Sequence, residues 1–471
     1  GNGGGMFVLG GATKMISSFI LNNCTGEGAS GQSGGNGGGI SAMDANLTIV
    51  DTIVEGNFTG TGAAGIDGTG NANGTPGGNG GHGGGIYLLG GTSLFIDSAV
   101  RFNTTASGTD GGNGIAVASG AGTSGANGGH GGQGGGIFIE QGSLDILNSV
   151  IRENLAGDGG NGGIGAPGAS GTGDGDGYDG GDGGDGGDGG DGGGIKFAAA
   201  DNIHAAGIVF NANHAGSGGN GGAGGAGGKG ASGGVADNGE DGGDGGDGGD
   251  GGDAGMGGAC FVDANQSIVT GGTIIHNAYG AAGTGGIGGA AGARGGGAWW
   301  PASDGSNGTT GSTGETGAQT LSGGFYDSSP SLTVSNTILW QNGGNQIYNA
   351  NVTPALIRYC LIQGGADTDS GNIDGDPLFV PMVDAVEVPD TDEDTESADT
   401  DTWEEIIVSP IETQKYALQA DSPCVDHGSN SLVPLDAHDL DSDSNVTEPL
   451  PFDLMGAGRI QNATVNIGAV E

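Results

Sequence analysis

Short apolar segments that follow runs of glycine set the hydrophobic pattern of this chain. In one unit, Gly83-Gly84-Gly85 precedes Ile86-Tyr87-Leu88, a second apolar segment follows at Leu94-Phe95-Ile96, and the unit closes at Asn103. Apolar and polar residues alternate in these segments, which is typical of half-buried β-strands, and the segments are too short for helices. Related units recur along the chain, with first strands starting at Met6, Ile40, Ile86, Ile137, Ile195, Ala259 and Phe325.

The spacing inside each unit is partly constant. The second apolar segment lies nine or ten residues before the closing asparagine, as from Leu47 to Asn57. The distance between units varies, so the pattern indicates a fixed core with inserts of variable length. An asparagine at one corner of every unit can form an amide ladder along a stack of units, or can serve simply as a turn former. The predicted ladder consists of Asn57, Asn103, Asn154, Asn213, Asn277 and Asn342.

A single unit cannot bury its own apolar face, so the units must stack. Stacked coils of two or three strands with parallel pairing predict an all-β fold, a right-handed parallel β-helix or solenoid. We expect it to span residues 1–379, with one or two plainer coils near Ile347, Leu356-Ile357 and Leu361-Ile362. Residues 380–415 are strongly acidic and predict an exposed insertion. Residues 416–471 are predicted to form the C-terminal end or cap of the β-helix.

Glycine-rich inserts leave the predicted solenoid after each asparagine. In several of them glycine recurs as G-G-x, and a period of three is that of an extended polyproline-II-type helix. Successive coils lie about 4.8 Å apart, so mostly glycine inserts from one corner are close enough for backbone hydrogen bonds. We therefore predict a polyglycine-II-like layer, although this composition ordinarily favours disordered linkers. The inserts cover residues 25–36, 60–81, 105–133, 155–191, 215–256 and 280–322.

Aspartate occupies the x position of the triplets in two inserts and creates rows of carboxylates. Neighbouring carboxylates would be about 9 Å apart within a row. Between rows the separation falls to about 5 Å, where like charges repel. A layer of cations, with Ca²⁺ favoured for its oxygen ligands, would relieve this repulsion; a solvated acidic edge that keeps fibres apart is the alternative. The candidate metal-binding residues are Asp182, Asp185, Asp188, Asp191, Asp244, Asp247, Asp250 and Asp253.

A second candidate calcium site lies near the C-terminus. Asp439, Asp441 and Asp443 alternate as at the start of a calcium-binding loop, although the glycine and terminal glutamate of that motif are absent at the required spacing. We take Asp439 and Asp441 as its candidate ligands.

Two kinds of covalent modification are also open. Four cysteines are too few for a disulfide framework, but Cys360 and Cys424 could pair; otherwise all four are buried free thiols. Sequons would be glycosylated in a glycosylating host where they are exposed. The candidate glycosylation sites are Asn46, Asn57, Asn103, Asn351 and Asn445.

Charge excludes several classes of partner. The 471 residues include 55 acidic and 9 basic ones and carry a net charge of −46, which disfavours nucleic acid and anionic membranes. No apolar run reaches the 18 residues of a membrane span. The chain opens on Gly1 without a signal peptide, so we expect a processed or truncated N-terminus.

Catalysis is not expected from this sequence. Many β-helix proteins cleave polysaccharides, and such enzymes need a basic residue near acidic ligands or two converging carboxylates. The basic residues here are scattered singly, and Arg101 and Arg152, which are equivalent in successive coils, are predicted to stack on the surface. We therefore predict that the protein is not an enzyme.

Several short motifs mark the C-terminal third of the chain. They are Asp376-Pro377-Leu378-Phe379, Tyr416-Ala417-Leu418, Ser422-Pro423-Cys424-Val425-Asp426-His427-Gly428 and Val465-Asn466-Ile467-Gly468-Ala469-Val470-Glu471. With these motifs, residues 320–471 resemble the choice-of-anchor Q right-handed β-helix proteins, and the upstream units resemble polymorphic outer-membrane protein repeats. The resemblance implies a secreted or surface-attached β-helix. The acidic insertion between Phe379 and Tyr416 departs from the family pattern, and no sorting tail follows Glu471, so these residues do not support anchoring.

These observations favour an extracellular or cell-surface structural protein, a subunit of a fibre or scaffold. The open ends of a solenoid carry unpaired strands, which predicts a homo-polymer with end-to-end contacts. A monomeric adhesin or glycan-binding passenger is the first alternative, with Trp299-Trp300 and Trp340 as stacking platforms for sugars. A polysaccharide lyase or hydrolase is the second. Ice binding is a further one, against which the outward Asp and Asn residues count.

Overall fold

The computed structural model of the protein describes residues 1–471 except 30, 235–236, 298–301, 352, 366–369, 382–413 and 462. The predicted acidic insertion, residues 380–415, therefore lies almost entirely outside the described residues. Every pairing between the strands of the described part is parallel, and the helix found there is a short 3-10 helix at Asn430–Leu432. The predicted all-β, parallel, solenoid-like fold is confirmed.

The strands fall into three positions that repeat from coil to coil. The first position holds β1 Met6–Leu9, β4 Ile40–Met43, β7 Ile86–Ile96, β9 Ile137–Leu147, β11 Ile195–Phe197, β14 Cys260–Val262, β17 Phe325–Asp327 and β20 Ile347–Asn349. The second position holds β2 Ala12–Ile16, β5 Asn46–Val50, β12 Ala200–Ala206, β15 Ala264–Thr270, β18 Leu332–Ser335 and β21 Leu356–Arg358, while β7 and β9 span both positions. The third position holds β3 Phe19–Leu21, β6 Ile53–Glu55, β8 Ala99–Arg101, β10 Val150–Arg152, β13 Val209–Asn211, β16 Thr273–Ile275, β19 Ile338–Trp340 and β22 Leu361–Ile362.

These positions form two sheets. The first and second positions belong to one 14-stranded sheet, and the third position forms an 8-stranded sheet in the order β22-β19-β16-β13-β10-β8-β6-β3. The plainer segments near the C-terminal end of the solenoid form one further coil, because β20, β21 and β22 pair with β17, β18 and β19.

The apolar residues that open each unit stack inside the solenoid. Ile40, Ile86, Ile137 and Ile195 are paired in register and are at most 1% exposed. Sharp bends keep each coil compact: the residue before the closing asparagine adopts a left-handed conformation in successive coils, as at Phe102 with φ 53°. The non-glycine residues that do so are Asn22, Phe102, Glu153, Ala212, His276 and Gln341.

The glycine-rich inserts are ordered and hydrogen-bonded. Each runs out from the solenoid in an outward leg and comes back in a return leg; in the insert at 155–191 these are residues 157–171 and 177–190. The Gly162 N–H donates to the Asn220 carbonyl in the next outward leg at 2.8 Å. The Gly163 N–H donates to the Ala126 carbonyl in the preceding return leg, also at 2.8 Å. Both bonds recur every three residues along the leg.

The return legs repeat this arrangement. The Gly183 N–H donates to the Asp247 carbonyl in the next return leg, and the Gly184 N–H donates to the Gly163 carbonyl in its own outward leg, each at 2.8 Å. Outward legs thus stack on outward legs and return legs on return legs, and antiparallel bonds join the two layers. We call this two-layered body the slab.

The C-terminal segment, residues 414–471, packs along a flank of the solenoid. Val433, Leu450 and Val465 are buried against Leu147 and Ala206. Further along the flank, Tyr416, Ala469 and Val470 pack with Val150, Val209 and Ile275 of the third-position strands. The sequence predicts an end or cap here; the contacts place this segment on the side of several coils.

The predicted pairing of Cys360 with Cys424 is wrong, because both thiols are free. Cys360 packs in the core of the solenoid, whereas Cys424 packs with Leu361 and Ile467 in a separate apolar cluster. Leu361, which follows Cys360 in the chain, belongs to the cluster of Cys424, whereas Cys360 itself belongs to the core cluster. Cys24 is free and exposed, so the alternative of four buried thiols also fails at that residue.

Candidate functional site: the asparagine ladder, the carboxylate rows and the C-terminal acidic loop

The closing asparagines form a continuous amide ladder. In each step the side-chain Nδ2 donates to Oδ1 of the asparagine in the next coil, at distances of 2.8 to 3.0 Å. The backbone N–H donates to that same Oδ1, and Nδ2 also donates to a strand carbonyl of the preceding coil, as from Asn154 to Val100 at 2.9 Å. The ladder begins one coil earlier than the sequence indicates, because Asn23 bonds to Asn57 at 2.9 Å.

Burial of the ladder overturns two of the predicted glycosylation sites. Asn57 and Asn103 are 0% exposed, and both N–H bonds of each amide nitrogen are engaged, so a glycan has no room. Asn351 is half-buried and donates to the carbonyls of Asp327 and Ser329. Asn46 and Asn445 are exposed, and their glycosylation stays a prediction.

The aspartates of the rows complete the hydrogen bonding of the slab. The backbone N–H groups of the two glycines in each G-G-x triplet donate to neighbouring legs, so the N–H of the x residue needs a different acceptor. The Asp247 N–H donates to Oδ1 of Asp182 in the preceding return leg at 2.9 Å. Asp247 Oδ1 in turn accepts the Ser312 N–H of the following leg at 2.7 Å. The same bond is made from Asp241, Asp244, Asp250, Asp253 and Met256 to Asp176, Asp179, Asp185, Asp188 and Asp191.

These bonds act on the charge of the carboxylates. The backbone N–H of Thr309 lowers the pKa of Asp244, and the backbone N–H of Ser312 lowers the pKa of Asp247. A hydrogen bond to the charged form favours that form. These N–H groups thus stabilise the negatively charged carboxylates of the rows, for which the sequence alone leaves open a cation layer or a solvated acidic edge.

The rows do not bring their carboxylates together as closely as the C-terminal loop does. Among the described residues, acidic groups that bring three ligand atoms within 4.8 Å of one another lie in the loop, not in the rows. Calcium binding by the rows stays a prediction.

The two layers of the slab differ in their side chains. In the inserts at 155–191 and 215–256, the x positions of the return legs are mainly aspartate. Those of the outward legs are mostly small, neutral or apolar, and Ile164 and Ile287 are 55% and 69% exposed. The neutral residues at these positions include Asn161, Ser217, Asn220, Ala223, Ala226, Ala281, Thr284 and Ala290. In these two inserts the slab therefore combines an acidic return layer with a nearly neutral outward layer.

A buried ion pair joins the slab to the solenoid. Lys196 Nζ lies 3.0 Å from Asp191 Oδ2 and 2.9 Å from the centroid of the Phe261 ring. Burial lowers the pKa of Lys196, and the carboxylate of Asp191 acts in the opposite direction. Asp191, the last residue of its row, is therefore a structural anchor as well as a hydrogen-bond acceptor.

The basic residues on the third-position strands also have partners. Arg101 and Arg152 are paired in register as predicted, but they are 7% and 5% exposed instead of lying on the surface. Arg101 Nε lies 2.7 Å from Glu55 Oε2, and Arg152 Nη1 lies 2.7 Å from Glu153 Oε1. These ion pairs give both arginines a structural role.

The C-terminal acidic loop, residues 436–448, gathers more carboxylates than its sequence pattern indicates. Asp439, Asp441 and Asp443 each offer one oxygen within 4.8 Å of the others, and so do Asp436, Asp441 and Glu448. Asp436 and Glu448 lie outside the alternating motif and are brought in by the fold. The Asp436 N–H donates to the Glu448 carbonyl at 2.8 Å and closes the neck of the loop.

Of the predicted sugar-stacking tryptophans, Trp340 is half-buried and packs beside the C-terminal segment. Trp299-Trp300 lies outside the described residues. Within the described part, no helix has the length and apolarity needed to cross a membrane. Comparison of the chain with protein-family models, curated proteins and solved structures finds no match.

Proposed function

We propose that this protein is an extracellular structural protein, a subunit of a fibre or cell-surface scaffold. In this proposal it is a right-handed parallel β-helix that carries a polyglycine-II-like slab, related to the choice-of-anchor Q proteins. The observation that carries the proposal is the slab itself. Six inserts are held by a network of backbone hydrogen bonds in which the side chains of the rows also take part. Loops often bear binding sites, but here they form a rigid extension of the solenoid.

The exposed features of the two ends of the solenoid support the proposal of assembly into a fibre. Phe7, Leu9 and Phe19 of the first coil are 49%, 71% and 51% exposed. At the other end, a cavity of about 540 Å³ is lined by apolar residues that include Ile347, Leu356 and Ile362. An exposed apolar edge strand is a template for pairing with another chain. A head-to-tail contact between these two ends is heterologous and would extend into a filament.

Electron microscopy of the purified chain over a range of concentrations tests this proposal. We expect elongated particles whose length increases with concentration. Particles that stay at the length of one chain at the highest concentration would contradict the fibre. In that case, selective binding to a glycan array would favour the adhesin, and release of sugar products would favour the lyase or hydrolase.

A further inference from the structure

The neck of the C-terminal acidic loop holds carboxylate oxygens without hydrogen-bond partners. Asp436 is 0% exposed; its Oδ2 accepts the Leu440 N–H at 2.7 Å, but its Oδ1 is buried and unpartnered. Glu448 Oε1 is also buried and unpartnered. A buried carboxylate oxygen without a partner is costly, because it has lost its hydration and gained nothing in return.

The unpartnered oxygens point to a ligand. One oxygen each from Asp436, Asp441 and Glu448 lies within 4.8 Å of the other two. Calcium binds oxygen at about 2.3–2.6 Å, so two ligands of the same ion are separated by at most about 5 Å. The three oxygens thus satisfy the separation that a shared ion requires.

We propose that residues 436–448 bind a divalent cation of the calcium type through Asp436, Asp441 and Glu448. Asp439 and Asp443, which form a second cluster with Asp441, complete the acidic surroundings of the site. A hard, oxygen-seeking cation fits this set, since every donor is a carboxylate. This inference is independent of whether the protein forms fibres.

The position of the site gives the ion a structural role. Val433 and Leu450, which flank the loop, are buried against Leu147 and Ala206 of the solenoid. The Leu450 N–H donates to the Pro434 carbonyl at 2.8 Å, next to the Asp436–Glu448 bond. An ion between Asp436 and Glu448 closes the neck on which the docked segment depends. Calcium therefore stabilises the attachment of the C-terminal segment to the solenoid.

Calorimetric titration of the full chain with CaCl₂ in 0.15 M NaCl tests the site. We expect one saturable site in the wild type and at least a tenfold loss of affinity in Asp441→Asn and in Glu448→Gln. Asp441 is exposed, so its isosteric replacement leaves the packing intact. The matched control is Asp201→Asn, which removes the same charge from an exposed position outside both the rows and the loop and should bind like the wild type.

Limited proteolysis gives a second measurement. Calcium should slow cleavage within residues 436–448 of the wild type, relative to a chelator, and should not slow it in Asp441→Asn. Absence of a saturable site in the wild type overturns the proposal. Equal affinity in Asp441→Asn and the wild type overturns it too, and so does an equal loss of affinity in Asp201→Asn, which would make the effect one of net charge.

Discussion

At the scale of the residue, this protein depends on side-chain amides and carboxylates that satisfy backbone groups. Each asparagine of the ladder links three coils, since its amide bonds to the next asparagine and to a strand carbonyl of the preceding coil. Each aspartate of a row accepts the backbone N–H of an x residue, which has no acceptor among the glycines. The short Asn and Asp side chains place an oxygen within reach of a neighbouring leg or coil.

Removal of one ladder amide should destabilise the solenoid. In Asn154→Ala, the backbone N–H and Nδ2 of Asn103 lose their acceptor and the Val100 carbonyl loses a donor. Since each unsatisfied buried group costs about 1–3 kcal/mol, we expect a loss of roughly 2–4 kcal/mol in the free energy of unfolding. Denaturant unfolding followed by circular dichroism measures it. The matched control, Asn202→Ala, alters an exposed strand asparagine and should change stability little.

The carboxylates of the rows should make the slab sensitive to acid. Because the N–H donors lower the pKa of Asp244 and Asp247, their stabilising effect is complete above the unfolded pKa, near 3.9, and is lost as pH falls through the lower folded values. An asparagine keeps the acceptor oxygen but does not titrate.

The double variant Asp244→Asn/Asp247→Asn isolates this effect. Its denaturation midpoint should lie below that of the wild type at pH 6, and the difference should shrink towards pH 3. The comparison is made in 0.5 M salt, where repulsion between exposed carboxylates is screened. A difference that is independent of pH would contradict the role assigned to these bonds.

At the scale of the element, the slab is stable because its legs approach too closely for side chains. A Cβ atom built on Gly221 would lie 1.9 Å from the carbonyl oxygen of Gly249 in its own return leg. The x positions of the triplets are the more exposed ones, which explains why most side chains recur every third residue. The composition that ordinarily indicates disorder is here the condition for packing.

A single methyl group added inside the slab should therefore destabilise it. In Gly221→Ala the clash is with the backbone of Gly249 and Asp250, so we expect a loss of about 1–3 kcal/mol and faster amide exchange in the insert at 215–256. Hydrogen exchange read by mass spectrometry measures the effect locally. Ala226→Ser, at an exposed x position of the same leg, is the control and should exchange like the wild type. Equal exchange in both variants would mean that the legs are not packed this closely.

At the scale of the whole molecule, the solenoid, the slab and the C-terminal segment share one set of coils. The slab extends from the corner marked by the asparagine ladder, and the C-terminal segment covers the third-position strands. The ends of the stack differ from each other, one with exposed apolar side chains and the other with an open cavity.

If assembly occurs through these ends, a charge at the first coil should prevent it. Leu9 is 71% exposed, so Leu9→Glu should leave the fold intact and shorten the particles seen by electron microscopy to single chains. Ile66→Glu places the same charge on an insert, where the isoleucine is 55% exposed, and should assemble like the wild type. Fibres of unchanged length in Leu9→Glu would place the contact elsewhere.

Much of this architecture could be predicted from the spacing of residues. The coils follow from the alternation of apolar residues, the ladder from the constant distance to the closing asparagine, and the slab from the triplet period. Contacts between distant residues could not be predicted. Asp182 accepts the N–H of Asp247, 65 positions away, and only the stacking of legs brings them together.

Two further features could not be predicted for the same reason. The disulfide failed because Cys360 and Cys424 face different apolar clusters, which the order of residues does not indicate. The sequence does not indicate Asp436 and Glu448 as candidate ligands, because neither belongs to the alternating motif around Asp441. The fold brings all three together.

The antiparallel bonds between outward and return legs also govern how such a chain can grow. A triplet added to an outward leg needs a partner triplet in the return leg. The slab therefore widens in steps of about 9 Å, each of which adds one triplet to both legs. Each step leaves the apolar interior untouched, because the new residues meet only other legs. Duplication of a nine-nucleotide stretch at two matching places would therefore broaden the protein without any compensating change in its core.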